Sequence, residues 1–200
     1  MSERPTTRLE YAFEGVDGGG KTTNIQKLEH YYSERGCSVV VLSSISQTDF
    51  GRAIRRNIHI LNSMGVDGIR YFKEDIRRSY LSIDGGVADI LLWDRHVYSI
   101  YAANTAFPDL NLIRNTEPLI PEPPKVFVLN VPPDVAWVRE QQAQKRDHPI
   151  TLEWLVAKHA KYLELLREEP ERFLEIDATK PLNKVFGQLV NVIDSDLAER

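Results

Sequence analysis

The chain of 200 residues carries 29 acidic and 25 basic side chains, a formal net charge of −4, and a single cysteine, Cys37. That length suits one domain, or one domain with a small lid, burying about 70 % of the unfolded surface. The acidic balance excludes a nucleic-acid binder working by bulk positive charge, and a lone cysteine excludes a disulfide framework or a cysteine-built zinc cluster. No apolar run approaches the roughly 18 residues of a membrane span. Met1–Arg8 is polar, without the apolar centre of a secretory leader, so a cytoplasmic location without membrane attachment is expected.

The first element is a short apolar strand from Leu9, which runs into Gly15-x-x-x-x-Gly20-Lys21-Thr22. This is the spacing of a phosphate-binding loop ahead of a helix. Gly15, Gly18, Gly19 and Gly20 let the backbone curl round an anion with its N–H groups pointing inward. The helix that follows, from Thr23 to Arg35, adds unpaired N–H groups and a positive dipole end. Lys21 reaches the β- and γ-phosphates of a bound nucleotide, and the Thr22 hydroxyl is a ligand for Mg²⁺.

Beyond the loop the chain alternates. Ile25, Leu28 and Tyr32 share one helix face, and Gly36 stops that helix. Cys37–Leu42 is a continuous run of the kind found in buried parallel strands. Asp49 is the expected cap of a basic helix through Leu61, Gly65 and Gly68 break it, and Ile69–Ile83 is the next helix, ended by Gly85-Gly86. Ala88–Trp93 is a third strand, His96–Asn104 a short helix, and Phe107–Pro124 a proline-rich loop. Lys125–Val131 is a fourth strand, Pro132-Pro133 opens a helix to about Gln144, and Lys145–Pro149 is a basic link. Thr151–Glu169 is a long helix, Phe173–Ile176 a fifth strand, and Pro181–Asp196 a closing helix. The alternation predicts an α/β fold: a five-stranded parallel sheet covered on both faces by helices, with ligands at the strands' carboxyl ends.

Asp17, Ser43-Ser44, Asp94-Arg95 and Asp177 fall in the phosphate loop or just past a strand end, so they are expected on one rim. Asp94 suits either a carboxylate on the Mg²⁺ side or a cap for the next helix. Arg95 suits bidentate capture of an acceptor phosphate. Arg139, Lys145 and Arg146 lie before and inside the link between two helices, where a basic lid would cover a migrating phosphoryl group; a solvated surface pair is the other reading. His96, His148 and His159 show no metal-ligand spacing and are expected at the surface or in a supporting role.

Four segments together resemble thymidylate kinases. Phe13-Glu14-Gly15-Val16-Asp17-Gly18-Gly19-Gly20-Lys21-Thr22-Thr23 resembles their phosphate loop, and Asp94-Arg95-His96-Val97 with Ser99 resembles their Asp-Arg segment. Leu129-Asn130-Val131-Pro132-Pro133-Asp134-Val135-Ala136 resembles the strand-to-helix segment before the lid. Glu168–Phe173 and Ile176-Asp177-Ala178-Thr179 resemble the fifth strand and its adenine-side loop. The resemblance implies a three-layer P-loop kinase fold with a short lid around residues 139–150. It further implies γ-phosphoryl transfer from ATP, with Mg²⁺, to a deoxynucleoside monophosphate, dTMP or a related pyrimidine nucleotide, by a homodimer packed through its second and third helices. By the same likeness Asp17 meets the acceptor sugar or the metal, and Arg95 the acceptor phosphate. Phe72 stacks on the pyrimidine, Arg139 and Arg146 serve the ATP side and the lid, and Ala178 borders the adenine.

The departures gather on the acceptor side. Ser43-Ser44-Ile45 stands where the family usually has Arg-Glu-Pro, and Asp75-Ile76 stands where it has Asp-Arg, so the arginine expected at the thymine's edge is either missing or supplied by Arg77 one position on. Asn104 replaces a common glutamine, and Asn130 a frequent aspartate. A site built to hydrogen-bond one group discriminates against analogues lacking it, so these changes point to an altered or looser acceptor. A nucleoside kinase and a non-catalytic ATP-binding module are the competing readings.

Overall fold

The computed structural model describes residues 8–45, 47–83, 88–103, 109–143 and 150–200. In chain order the elements are β1 (Leu9–Glu14), α1 (Lys21–Ser33), β2 (Val39–Ser43), α2 (Asp49–Arg56), α3 (Ile58–Ser63), α4 (Val66–Leu81) and β3 (Ile90–Asp94). They continue with α5 (Val97–Ala103), α6 (Leu110–Asn115), β4 (Lys125–Asn130), α7 (Pro133–Ala143), α8 (Leu152–Glu168), β5 (Phe173–Asp177) and α9 (Leu182–Ala198).

All strand pairs are parallel, in the order β2-β3-β1-β4-β5. Strands buried on both faces need apolar side chains at successive positions, and Tyr11–Phe13, Ile90–Trp93 and Val126–Leu129 are almost wholly excluded from solvent. Helix α1 packs with α9, while α8 packs with α5 and α7, so helices cover both sides of the sheet as the alternation predicted. The chain adds β2 and β3 on one side of β1 and then crosses to add β4 and β5 on the other. A crevice therefore opens at the carboxyl ends of β1, β3 and β4, where an open α/β sheet binds its ligand. The register sets Phe13 beside Asp94 and Phe127, and Asn130 beside Asp177.

The structure corrects several local expectations. The predicted helix Asp49–Leu61 is two helices, and its cap is Thr48, whose Oγ1 accepts from Gly51 N at 2.8 Å. Gly68 does not break a helix but lies inside α4. A Cβ there would sit 2.1 Å from the Leu61 carbonyl oxygen, so glycine is what lets α3 and α4 cross closely. The proline-rich stretch expected to be loop contains α6, capped by Asp109. The Lys73 ammonium donates to the carbonyls of Ile113, Arg114 and Thr116 and ties this short helix down. Six residues are too few to show a helical period. No helix among the described residues is long and apolar enough to cross a membrane.

Candidate active site

The phosphate loop is shaped by close backbone approach. Gly15 and Gly18 have φ of 128° and 79°, and a Cβ on either would lie 2.6 Å from a carbonyl oxygen, of Leu129 and Ala136 respectively. The loop delivers Lys21 and Thr22 as the first residues of α1, whose amino end is preceded by Gly20 without any side-chain cap. Its first N–H groups form a cradle for an anion, and Thr23 is exposed beside them. Lys21 is 5 % exposed, and its Nζ donates to the carbonyls of Gly15 (3.1 Å) and Val16 (2.8 Å). Thr22 Oγ1 donates to Asp94 Oδ2 at 2.6 Å, joining two hard oxygen ligands across α1 and β3. A hydroxyl and one carboxylate, completed by phosphate oxygens and water, fit Mg²⁺.

Arg95 follows β3 with φ of 72°, a conformation that favours glycine, so the surroundings must hold it. They do so through Glu14, fully buried at the end of β1. Its carboxylate accepts from His96 N (2.8 Å), Ser99 N (3.1 Å), Ser99 Oγ (2.6 Å) and Tyr162 Oη (2.7 Å). This clamp aims the Arg95 guanidinium at the Gly15 carbonyl, Ser99 Oγ and Asp17 Oδ1. Burial disfavours the charged guanidinium, but the carboxylates of Asp17, Glu14 and Asp94 outweigh it, and its pKa is raised. Asp17 Oδ2 meets Lys158 Nζ of α8 at 3.1 Å. Replacing Glu14 by Ala strands these donors at about 1–3 kcal/mol each. The expected result is a urea-unfolding free energy lowered by at least about 4 kcal/mol, the sum for four donors at the low end of that range, and a loss under about 1 kcal/mol would remove the clamp role.

The Lys21 ammonium is desolvated and repelled by Arg95 and Lys158, which pulls its pKa down from 10.5 to about 7. A bound triphosphate restores the charged form. Nucleotide binding above pH 7 is therefore expected to take up a proton, and affinity to fall as pH rises from 7 towards 9. Calorimetry in buffers of different ionisation enthalpy measures this uptake; release of a proton would contradict it.

On the far side of the loop, Arg139 on α7 donates to the carbonyls of Gly18 (3.4 Å) and Ala178 (3.1 Å), and Ala178 N bonds the Asn130 carbonyl at 2.8 Å. Beside them a cavity of about 600 Å³ is lined by Asn130, Pro132, Pro133, His159, Asp177 and Thr179, among others. On the opposite rim Phe72 is half-buried against the core. Asp75, fully buried, accepts from Ile45 N at 2.6 Å and from Thr48 Oγ1, pinning the loop that follows β2. Ile76 is buried, and Arg77 makes two hydrogen bonds to Glu74 on the exposed side of α4. The predicted rim residues Asp17, Asp94 and Arg95 thus meet at the phosphate loop, whereas Arg77 is spent on its helix neighbour. Asn104, Lys145, Arg146 and His148 lie outside the described residues.

His96 is not at the surface. It is fully buried against Trp93, Tyr80 and Tyr98, and burial followed by the Lys73 charge pushes its pKa down to about 3. Its aromatic neighbours come from three elements, which sequence order does not reveal. Glu14 and Lys158 were likewise missed as site residues. The available signal was a charge in a buried position: Glu14 follows the buried run Tyr11–Phe13 of β1, and Lys158 lies on the stripe of Leu155, Tyr162 and Leu165.

A phosphate loop on the central strand, a hydroxyl–carboxylate pair for a divalent cation, and a guanidinium facing the loop define a P-loop phosphotransferase. Sequence comparison narrows that class, because the thymidylate kinase family profile matches residues 13–189. The chain belongs to the thymidylate kinase family, enzymes that transfer a phosphoryl group from ATP to a nucleoside monophosphate. It is 30 % identical over 193 residues to the probable thymidylate kinase of Archaeoglobus fulgidus, covering 93 % of this chain and 95 % of that one. It is 28 % identical over 216 residues to the thymidylate kinase of Bifidobacterium longum, covering 96 % and 98 %. To the probable thymidylate kinase 1 of Saccharolobus solfataricus it is 30 % identical over 192 residues, covering 93 % and 97 %.

Proposed function

We propose that this protein phosphorylates dTMP to dTDP with Mg·ATP, and that Arg95 receives the acceptor phosphate. The observation that carries the assignment is the convergence of the Arg95 guanidinium, Asp17 and the Gly15 carbonyl at the mouth of the phosphate loop. The loop N–H groups and Lys21 hold the β- and γ-phosphates. Arg139 and Ala178 border the adenine, and Arg95 sets an acceptor phosphate oxygen in line with the γ-phosphorus. That oxygen forms the new P–O bond as the bond to the β-bridging oxygen breaks, and the work of the protein is positioning and charge stabilisation. Thr22 and Asp94 would hold Mg²⁺, which supplies charge neutralisation on the β- and γ-phosphates. Asp17 and Phe72 contact the acceptor's sugar and base, and the segment from Arg139 through Arg146 to about residue 150 is the lid. The working unit is a homodimer joined through α2, α3 and α4, where Ile60, Met64 and Tyr71 are exposed.

A second feature qualifies the acceptor. With Ile76 buried and Arg77 tied to Glu74, the pyrimidine edge meets no arginine from this stretch of α4, which favours a looser choice of base than one built on a charged donor. The test is ADP release from Mg·ATP against a panel of nucleoside and deoxynucleoside monophosphates and free nucleosides. The expected result is turnover of dTMP, with other pyrimidine monophosphates within about 10²-fold. Turnover of nucleosides alone, or ATP binding with no transfer to any acceptor, would overturn the assignment. Light scattering of the full chain tests the dimer.

A further inference from the structure

Lys158 sits where a hydrophobic side chain is expected. On α8 it lies between buried Leu155 and Tyr162, is only 4 % exposed, and its ammonium is 4.4 Å from the centre of the Trp154 ring. Desolvating an ammonium costs several kcal/mol, so the position needs a compensating interaction. Asp17 supplies part of it at 3.1 Å, but the other oxygen of that carboxylate is already bound to Arg95. Lys21, the third cation of the cluster, directs its hydrogen bonds to carbonyl oxygens. The remaining nearby carboxylates are engaged by neutral donors, Glu14 by His96, Ser99 and Tyr162, and Asp94 by Thr22. Burial, followed by repulsion from Arg95, lowers the Lys158 pKa to about 8. Two buried lysines and a half-buried arginine converging on one loop match an anion carrying more than one charge.

We propose that Lys158 is a catalytic cation of this kinase, its ammonium hydrogen-bonding an oxygen of the phosphoryl group in transit between ATP and the acceptor. The assignment rests on the phosphoryl-transfer reading above and extends it to a residue on the helix that follows the lid. Lys158 forms no covalent bond and moves no proton; it stabilises charge on the oxygens while the P–O bonds exchange. It approaches from α8, whereas Lys21 comes from α1 and Arg95 from the end of β3, so the cluster is assembled only when all three elements are docked.

The experiment compares Lys158→Met and Lys158→Arg with the wild-type full chain, using dTMP and Mg·ATP. Lys158→Met is expected to lower kcat by about 10²-fold, in the range of losing one preorganised donor. The KM for ATP should stay within about threefold and the melting temperature at or above that of the wild type, with Lys158→Arg recovering at least about tenfold. A kcat within about threefold of wild type in Lys158→Met overturns the proposal. So does a loss that tracks a fall in melting temperature and is not recovered by arginine. Asp17→Asn, alone and combined with Lys158→Met, separates direct contact from action through Asp17. Multiplied losses support contact, and a double variant no worse than Asp17→Asn overturns it. If the wild type phosphorylates no monophosphate, the kinase reading falls by itself. Inorganic pyrophosphate binding then decides the role of Lys158: at least about tenfold weaker binding in Lys158→Met supports an anion contact, and equal binding overturns it.

Discussion

Lys21→Ala is expected to lower kcat/KM for Mg·ATP-dependent transfer by roughly 10³–10⁵, the range found when a cation on the migrating phosphoryl group is lost. The ammonium is the charge that the loop carries into the crevice, and it comes from the first residue of α1, so no neighbour on that helix can replace it. Its Nζ donates to the Gly15 and Val16 carbonyls. The Gly15 carbonyl keeps Arg95 as a donor in the variant. Removing the side chain also relieves burial of the charge and its repulsion by Arg95 and Lys158. Stability should therefore hold while activity collapses. Steady-state rates of ADP formation beside thermal melting make the test, and an activity loss under tenfold would show that the loop backbone alone carries the phosphates.

The second large effect is expected at Arg95. Arg95→Ala should cut kcat/KM for dTMP by about 10²–10³, comparable to loss of one oxyanion-type donor, while nucleotide affinity stays near that of the wild type. Arg95→Lys should recover little, because an ammonium cannot reproduce two parallel N–H donors on one phosphate. The residue adopts φ of 72° and is clamped through Glu14, so its geometry is fixed before the acceptor arrives. The informative comparison is KM against kcat for the acceptor, with ATP binding measured separately. Unchanged kcat/KM for every monophosphate would remove Arg95 from acceptor capture.

Much of this site was legible in the residues. The spacing Gly15 to Thr22 can be read without a structure because the phosphate loop is local: its strand, turn and helix are contiguous, and the backbone itself is the ligand-binding group. Asp94 and Arg95 were legible for a related reason, since a parallel strand delivers the residue at its carboxyl end to the same rim as the loop. At the departures read along α4, Asp75 and Ile76 are both buried and Arg77 lies on the exposed side of the helix.

What sequence order left dark involved partners far apart along the chain. Glu14 and Tyr162 are separated by 148 positions, Asp17 and Lys158 by 141, and Tyr80 and Trp93 reach His96 from different elements. A carboxylate in an apolar strand, or a lysine in an apolar helix stripe, signals that a partner exists but not which one. The sequence by itself determined the alternation of strands and helices, the phosphate loop and the rim on which Asp17, Asp94 and Arg95 stand, because each follows from local periodicity and backbone chemistry. Only the tertiary structure decided that α8 brings Lys158 to Asp17, that Glu14 holds Arg95 in a left-handed turn, and that Arg77 turns to Glu74. Burial makes such charges choose the nearest opposite partner in space, and proximity in space is set by how helices dock on the sheet.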